Sequence, residues 1–228
     1  MNQSRTLSSM DAKAVTLDDI ERLSPMDIER RSFEIISREA GERIPDDERA
    51  MIVKRVIHTT ADFDYIDNLC FSEGAVEAAL QALRNGAWII TDTNMALSGI
   101  NKPSLKKAGG EAFCFMADED VAQKAKRLGV TRASVSVDKA AALERPVIYA
   151  VGNAPTALIR LYELISEGCF RPELIIGVPV GFVNVVQSKE LIMQTDIPYI
   201  VARGRKGGSN VAACICNALL YMLDGSRV

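Results

Sequence analysis

His58, in the stretch RVIHTTADFDY (55–65), is the only histidine among 228 residues. Imidazole is the one side chain that changes charge between pH 5 and 8 without help from its surroundings. Proton chemistry near neutrality therefore points first to His58; the other reading is a structural imidazole with a satisfied hydrogen bond. Thr59, Thr60 and Asp62 follow it, which puts it in polar surroundings between apolar segments. No Ser or Cys nucleophile pattern accompanies it, and there is no second histidine to share a metal. A catalytic His58 would move or place a proton by itself.

Three other stretches carry ligand chemistry. RGRKGGS (203–209) sets Arg203, Arg205 and Lys206 beside Gly207 and Gly208, just before a helical pattern. Glycines let backbone N–H groups approach a ligand, a helix N-terminus favours an anion, and arginine recognises carboxylate or phosphate. A solvated basic turn is the plainer reading. The spacing is not that of a Walker A loop. GVPVGF (177–182) offers Gly177, Gly181 and an apolar tip, Phe182, that could cover a flat ligand or simply plug a sheet end. TDTNM (91–95) brings Asp92 and Thr93 after an apolar run, to orient a ligand or to cap the next turn. GNAPT (152–156) is only a fragment of a dinucleotide fingerprint.

The elements that must position these groups read as α/β. A helix is expected over SPMDIERRSFEIISREAG (24–41): Ser24 is its cap, Pro25 sits at its first position, and Met26, Phe33, Ile36 and Ala40 lie on one face. A second helix is expected from about Asp46 to Ile57, which leaves His58 just beyond its end. EGAVEAALQALRNG (73–86) reads as an amphipathic helix and AWIITD (87–92) as a buried strand. AFCFM (112–116) reads as a strand, DEDVAQKAKRLGV (118–130) as a helix and ASVSV (133–137) as a further strand. In the second half, strand, glycine-rich turn and helix recur from PVIYAV, ELIIGV and PYIVA. This pattern predicts a single domain with a mainly parallel central sheet flanked by helices. Right-handed crossovers place the three turns on one sheet edge, where ligands of such folds bind.

Composition narrows the function. Lys and Arg total 27 against 30 Asp and Glu, a net charge of −3, which argues against broad nucleic-acid binding. The five cysteines form no CxxC pair and read as core thiols in a reducing cytosol. No apolar run approaches a membrane span of ~20 residues, and the N-terminus lacks an apolar signal region, so a cytoplasmic protein is expected. Residues 1–16 read as a flexible extension and 17–228 as the domain.

SPMDIERRSFEIISREAG, RVIHTTADFDY, GAWIITDTNMALSGI, GVPVGFVNVVQSKELI and PYIVARGRKGGSNVAACICNALL together resemble the precorrin-8X methylmutase family, in family order from about residue 20 to 222. The family includes the cobalt-precorrin-8 methylmutases of cobalamin biosynthesis. The resemblance implies an isomerase that moves a methyl group from C-11 to C-12 of a corrinoid, giving hydrogenobyrinate or cobyrinate. It implies a homodimer with the tetrapyrrole held between subunits, and no cofactor or protein-bound metal. The family's histidine falls on His58, as proton donor or hydrogen-bond donor near ring C of the substrate. Substrate contacts are expected from Ser24, Met26, Thr59, Thr60, Asp62, Asp92, Thr93, Gly177, Gly181, Phe182, Arg203, Lys206 and Gly207. Competing readings are a nucleotide-dependent methyltransferase or reductase, and a tetrapyrrole carrier without catalysis.

Overall fold

Runs of aliphatic residues bounded by Gly, Pro and Asn alternate with amphipathic stretches along the chain, and the computed structural model, which describes residues 15–225 apart from the Pro25 and Met26 side chains, folds them accordingly. In order come α1 (Pro25–Ala40), α2 (Arg49–Thr60), α3 (Tyr65–Asn68), β1 (Leu69–Phe71), α4 (Ala75–Arg84) and β2 (Trp88–Thr91). Then follow α5 (Asn94–Gly99), α6 (Lys102–Lys107), β3 (Ala112–Phe113), α7 (Glu119–Leu128), α8 (Arg132–Ala141) and β4 (Val147–Val151). The chain closes with α9 (Pro155–Ser166), β5 (Leu174–Gly177), α10 (Val185–Ile192), β6 (Tyr199–Ala202) and α11 (Ser209–Asp224). The expected extension falls mostly on residues 1–14, outside those described.

The strands form one sheet in the order β1-β6-β5-β4-β2-β3. All neighbours are parallel except β1, which runs antiparallel to β6 along one edge. Thr91, Ala150, Ile176 and Ile200 lie side by side across its middle. Side chains alternate between faces, as the two-residue period of a strand requires. Ile148, Ala150, Leu174 and Ile176 pack with α2, α4 and α11 on one face. Val147, Tyr149, Val151 and Ile175 pack with α8 and α9 on the other. Strands buried on both faces read as near-continuous apolar runs, which is why PVIYAV and ELIIGV were legible.

Four expectations need correction. ASVSV is not a strand but the first half of α8. Its Ser/Val alternation imitates a two-residue period, yet Ala133, Ser136, Val137 and Ala140 are buried at helical spacing. Thr131 caps that helix by accepting from the Ser134 N–H, and the Ser136 hydroxyl donates to the Arg132 carbonyl inside it. AFCFM pairs only through Ala112 and Phe113, then turns into a short 3-10 helix over Phe115–Ala117. The second helix begins later than expected and runs through Thr60, so His58 lies within its last turn. The five cysteines are all free, but Cys169 is exposed and only Cys216 is fully buried.

The carboxyl ends of β2, β4, β5 and β6 share one edge. Because β1 runs the other way, with Leu69 opposite Ala202, the α2–β1 connection reaches that edge too. Gly152 makes the convergence possible, because a Cβ there would lie 2.6 Å from the Ser209 Cα and 2.8 Å from its nitrogen. Backbone atoms cannot yield as a flexible side chain does. Gly152→Ala is expected to lower unfolding free energy by about 1–3 kcal/mol, read as an earlier urea midpoint. A midpoint equal to that of wild type would show that the two loops are not packed backbone to backbone.

Candidate active site

α2 presents His58 because its apolar positions, Ile52, Val53, Val56 and Ile57, turn inward and leave His58 and Thr59 exposed. The helix ends at Ala61, whose φ of 54° is left-handed and whose N–H donates to the Ile57 carbonyl. Thr60 donates to the Val56 carbonyl, a tie within the last turn. Thr59 donates to the Cys214 sulfur at 3.1 Å, which fastens the histidine turn to α11. The Phe33 ring of α1 lies 5.4 Å from the imidazole, centre to centre, and the Arg55 guanidinium stacks on both Phe33 and Tyr221. Neither imidazole nitrogen has a hydrogen-bond partner among the described residues. The structure thus fixes the helix that carries His58 and leaves the ring nitrogens open.

Asp92 has another task than the one expected from sequence. It is 1% exposed, and its carboxylate accepts the N–H groups of Gly152 (2.8 Å), Asn153 (2.8 Å) and Ala154 (2.6 Å). Burial pushes its pKa up while those three bonds pull it down, and burial prevails. Asp92 therefore ties the end of β2 to the β4–α9 turn. Thr93 caps α5 by accepting from the Ala96 N–H, and its hydroxyl lies 2.8 Å from that of Ser209 at the start of α11. Gly177 is buried at the carboxyl end of β5, where a Cβ would crowd Val201. Ser24 caps α1. The Met26 side chain lies outside the described residues.

The loop from 203 to 208 faces the same edge, and its cations are already engaged. Lys206 forms ion pairs with Asp62 at 2.6 Å and Asp64 at 2.7 Å, which join the loop to the segment after His58. That ammonium holds the Asp62 carboxyl below its ordinary range. Arg203 pairs with Glu190 at 3.2 Å, and its N–H donates to the Asn68 carbonyl. Arg205 lies over the Phe182 ring at 5.4 Å. Gly181 N–H donates to the Arg205 carbonyl and Gly208 N–H to that of Val178, so the β5–α10 and β6–α11 turns hold each other. At Gly207 a Cβ would collide with the Val178 carbonyl, and its φ is +155°. Phe182 and Val183 stand out from the edge, 81% and 79% exposed, as does Met95 at 71%.

The edge therefore gathers His58, Thr59, Thr60, Asp62, Thr93, Gly181, Phe182, Arg203, Lys206 and Gly207. Lys189 escaped the sequence reading. It is fully buried on α10 and donates to the carbonyls of Gly204 (2.8 Å) and Lys206 (2.9 Å). A signal was available: Val185, Ser188, Lys189 and Ile192 fall on one helical face, so a lysine stands in an apolar register. A cavity of about 200 Å³ lined by Glu48, Arg49, Phe71 and Ser72–Val76 lies elsewhere, at the opposite edge beside the start of β6.

A mainly parallel α/β sheet whose carboxyl edge carries one open imidazole, a basic glycine loop and an exposed aromatic tip has the architecture of an α/β enzyme with its site at that edge. The Precorrin-8X methylmutase family description matches residues 27–222, and the chain belongs to that family of isomerases. It is 49% identical over 207 residues to the cobalt-precorrin-8 methylmutase of Salmonella typhimurium, covering 87% of this chain and 96% of that one. It is 40% identical over 195 residues to the precorrin-8X methylmutase of Pseudomonas aeruginosa, covering 84% and 93%. The solved precorrin-8X methylmutase of Thermus thermophilus superposes with a TM-score of 0.79 at 40% identity, covering 87% of this chain and 98% of that one.

Burial, with no carboxylate partner among the described residues, lowers the Lys189 amine to about 8. Its unfolded counterpart titrates near 10.5, so between those values the unfolded chain binds more protons than the folded one. This group's contribution therefore makes unfolding harder as pH rises from about 8 to 10.5. Side-chain NMR of labelled lysines is expected to show the Lys189 Cε signal inflecting about two units below the exposed lysines. An inflection among the ordinary lysines would contradict the buried, carboxylate-free geometry.

Proposed function

We propose that the protein is a cytoplasmic, homodimeric methylmutase that moves a methyl group from C-11 to C-12 of cobalt-precorrin-8 to give cobyrinate, with the corrinoid seated at the carboxyl edge around His58. The observation that carries this reading is the lone, exposed imidazole whose nitrogens have no hydrogen-bond partner among the described residues, held at the edge where the turns of a parallel sheet converge. The rearrangement is an isomerisation. It consumes no nucleophile, reductant or methyl donor, and it needs the substrate in its reactive protonation state. His58, with its ring nitrogens open at this edge, gives or shares a proton at ring C. The cobalt form is favoured because the Salmonella typhimurium relative of that name is more similar than the metal-free namesake from Pseudomonas aeruginosa.

The corrinoid is an apolar disc rimmed by carboxylates. Phe182, Val183 and Met95 supply apolar surface, while Arg205 on the 203–208 loop and Lys189 behind it supply positive charge in a chain of net charge −3. Thr59, Thr60 and Asp62 flank the imidazole, and Gly181 and Gly207 leave room for close approach. One sheet edge offers little enclosure for so large a disc, and the exposed apolar tips suit burial against a second copy.

His58→Ala is expected to abolish methyl migration, scored by product identification, while the folded variant still binds product by absorbance titration. Incubation of the wild type with cobalt-bearing and metal-free substrate tests the branch, and faster turnover of the metal-free form would overturn the cobalt assignment. Near-normal migration in the variant would remove His58 from the chemistry.

Sedimentation at micromolar concentration is expected to give a dimer near twice the 24.9 kDa chain. A fully active monomer would rule out a site shared between subunits.

A further inference from the structure

Burying a lysine without a carboxylate is costly, since both its charge and its donors lose water. Lys189 bears that cost at full burial, and among the described residues the ammonium donates to loop backbone, the Gly204 and Lys206 carbonyls. In a trans peptide the C=O and N–H bonds point in opposite directions. Drawing those two carbonyls onto Nζ therefore turns the N–H groups of Arg205 and Gly207 away from α10. Neither N–H has a hydrogen-bond partner among the described residues. The peptide between them is fixed by the Gly181 N–H on the Arg205 carbonyl, and the peptide that follows them by the Gly208 N–H on the Val178 carbonyl.

The charges agree with the backbone geometry. Lys206 and Arg203 are each paired with carboxylates, so their fields are largely cancelled at short range. Lys189 has no such partner among the described residues, and its charge lies directly behind the loop. Outward N–H groups on alternate residues of one turn, with positive charge behind them, favour an anion.

We propose that Lys189 is a positioning residue of the methylmutase, holding two loop carbonyls inward so that the Arg205 and Gly207 N–H groups meet a peripheral carboxylate of the corrinoid. The inference rests on the placement of the corrinoid at this edge. A methionine at 189 would fill the space, leave both carbonyls without a donor and release the two peptides to rotate.

The test compares wild type, Lys189→Met and His58→Ala in steady-state turnover and product titration. Loss of binding shared by ground state and transition state raises KM and spares kcat. Lys189→Met is expected to raise KM and product Kd by about tenfold or more, with kcat changed less than roughly threefold. A folded Lys189→Met with wild-type KM and product Kd overturns the inference, and so does a loss confined to kcat. Should that variant fail to fold, hydrogen exchange on the wild type decides: product binding is expected to slow exchange in the 203–208 segment by about tenfold. Unchanged exchange there overturns the inference. If His58→Ala keeps full turnover, the reading of the edge itself falls, whatever Lys189 does. If His58→Ala is dead and Lys189→Met behaves as wild type, only the role of Lys189 falls.

Discussion

One buried carboxylate organises the edge on which everything else depends. Asp92 ends β2 and accepts N–H groups from Gly152, Asn153 and Ala154, which would otherwise be orphaned at the β4–α9 turn. Charge-assisted bonds of this kind are roughly twice as strong as neutral ones, and here they stand against the desolvation of the carboxylate. With that turn fixed, Gly152 can lie against Ser209, and Ser209 in turn meets Thr93. The start of α11 is thereby set, and α11 receives Thr59 on Cys214. The position of His58 is thus linked, through α11, to the Asp92 contacts at the end of β2.

A second chain of contacts sets the electrostatics. An acidic protein that binds a polyanion must concentrate positive charge locally, yet the Lys206 and Arg203 side chains are paired with Asp62, Asp64 and Glu190. Those pairs are exposed, so their value lies in geometry more than in energy. They lash the 203–208 loop to the segment that follows His58 and to α10, keeping the imidazole and the loop on one rigid rim. A further charge with no carboxylate partner among the described residues lies one layer deeper, on Lys189.

The second half of the fold was legible because its strands are buried on both faces, and only aliphatic residues suit such positions. PVIYAV, ELIIGV and PYIVA each became a strand followed by a helix, and Ser24 with Pro25 marked the start of α1 correctly. ASVSV was misread because two valines spaced by serine fit either period over five residues, and the cap at Thr131 decides between them. The end of α2 was misjudged because threonine is a poor helix former in isolation, whereas here Thr60 bonds back to Val56. His58 and the basic loop could be found from residue type. What Asp92, Thr93 and Gly177 do could not, since a carboxylate that orients a ligand and one that ties two turns look identical in one dimension. Lys189 was hidden by its charge, although its register on α10 pointed inward.

The central claim is that the corrinoid occupies the carboxyl edge of the sheet with His58 at ring C. A crystal structure of the protein with its bound product measures this directly. The account predicts an imidazole nitrogen within hydrogen-bond distance of ring C, about 3 Å, and a side-chain carboxylate on the 203–208 loop. A product seated at the opposite edge, against Glu48, Arg49 and Ser72–Val76, with His58 facing bulk water, would contradict it.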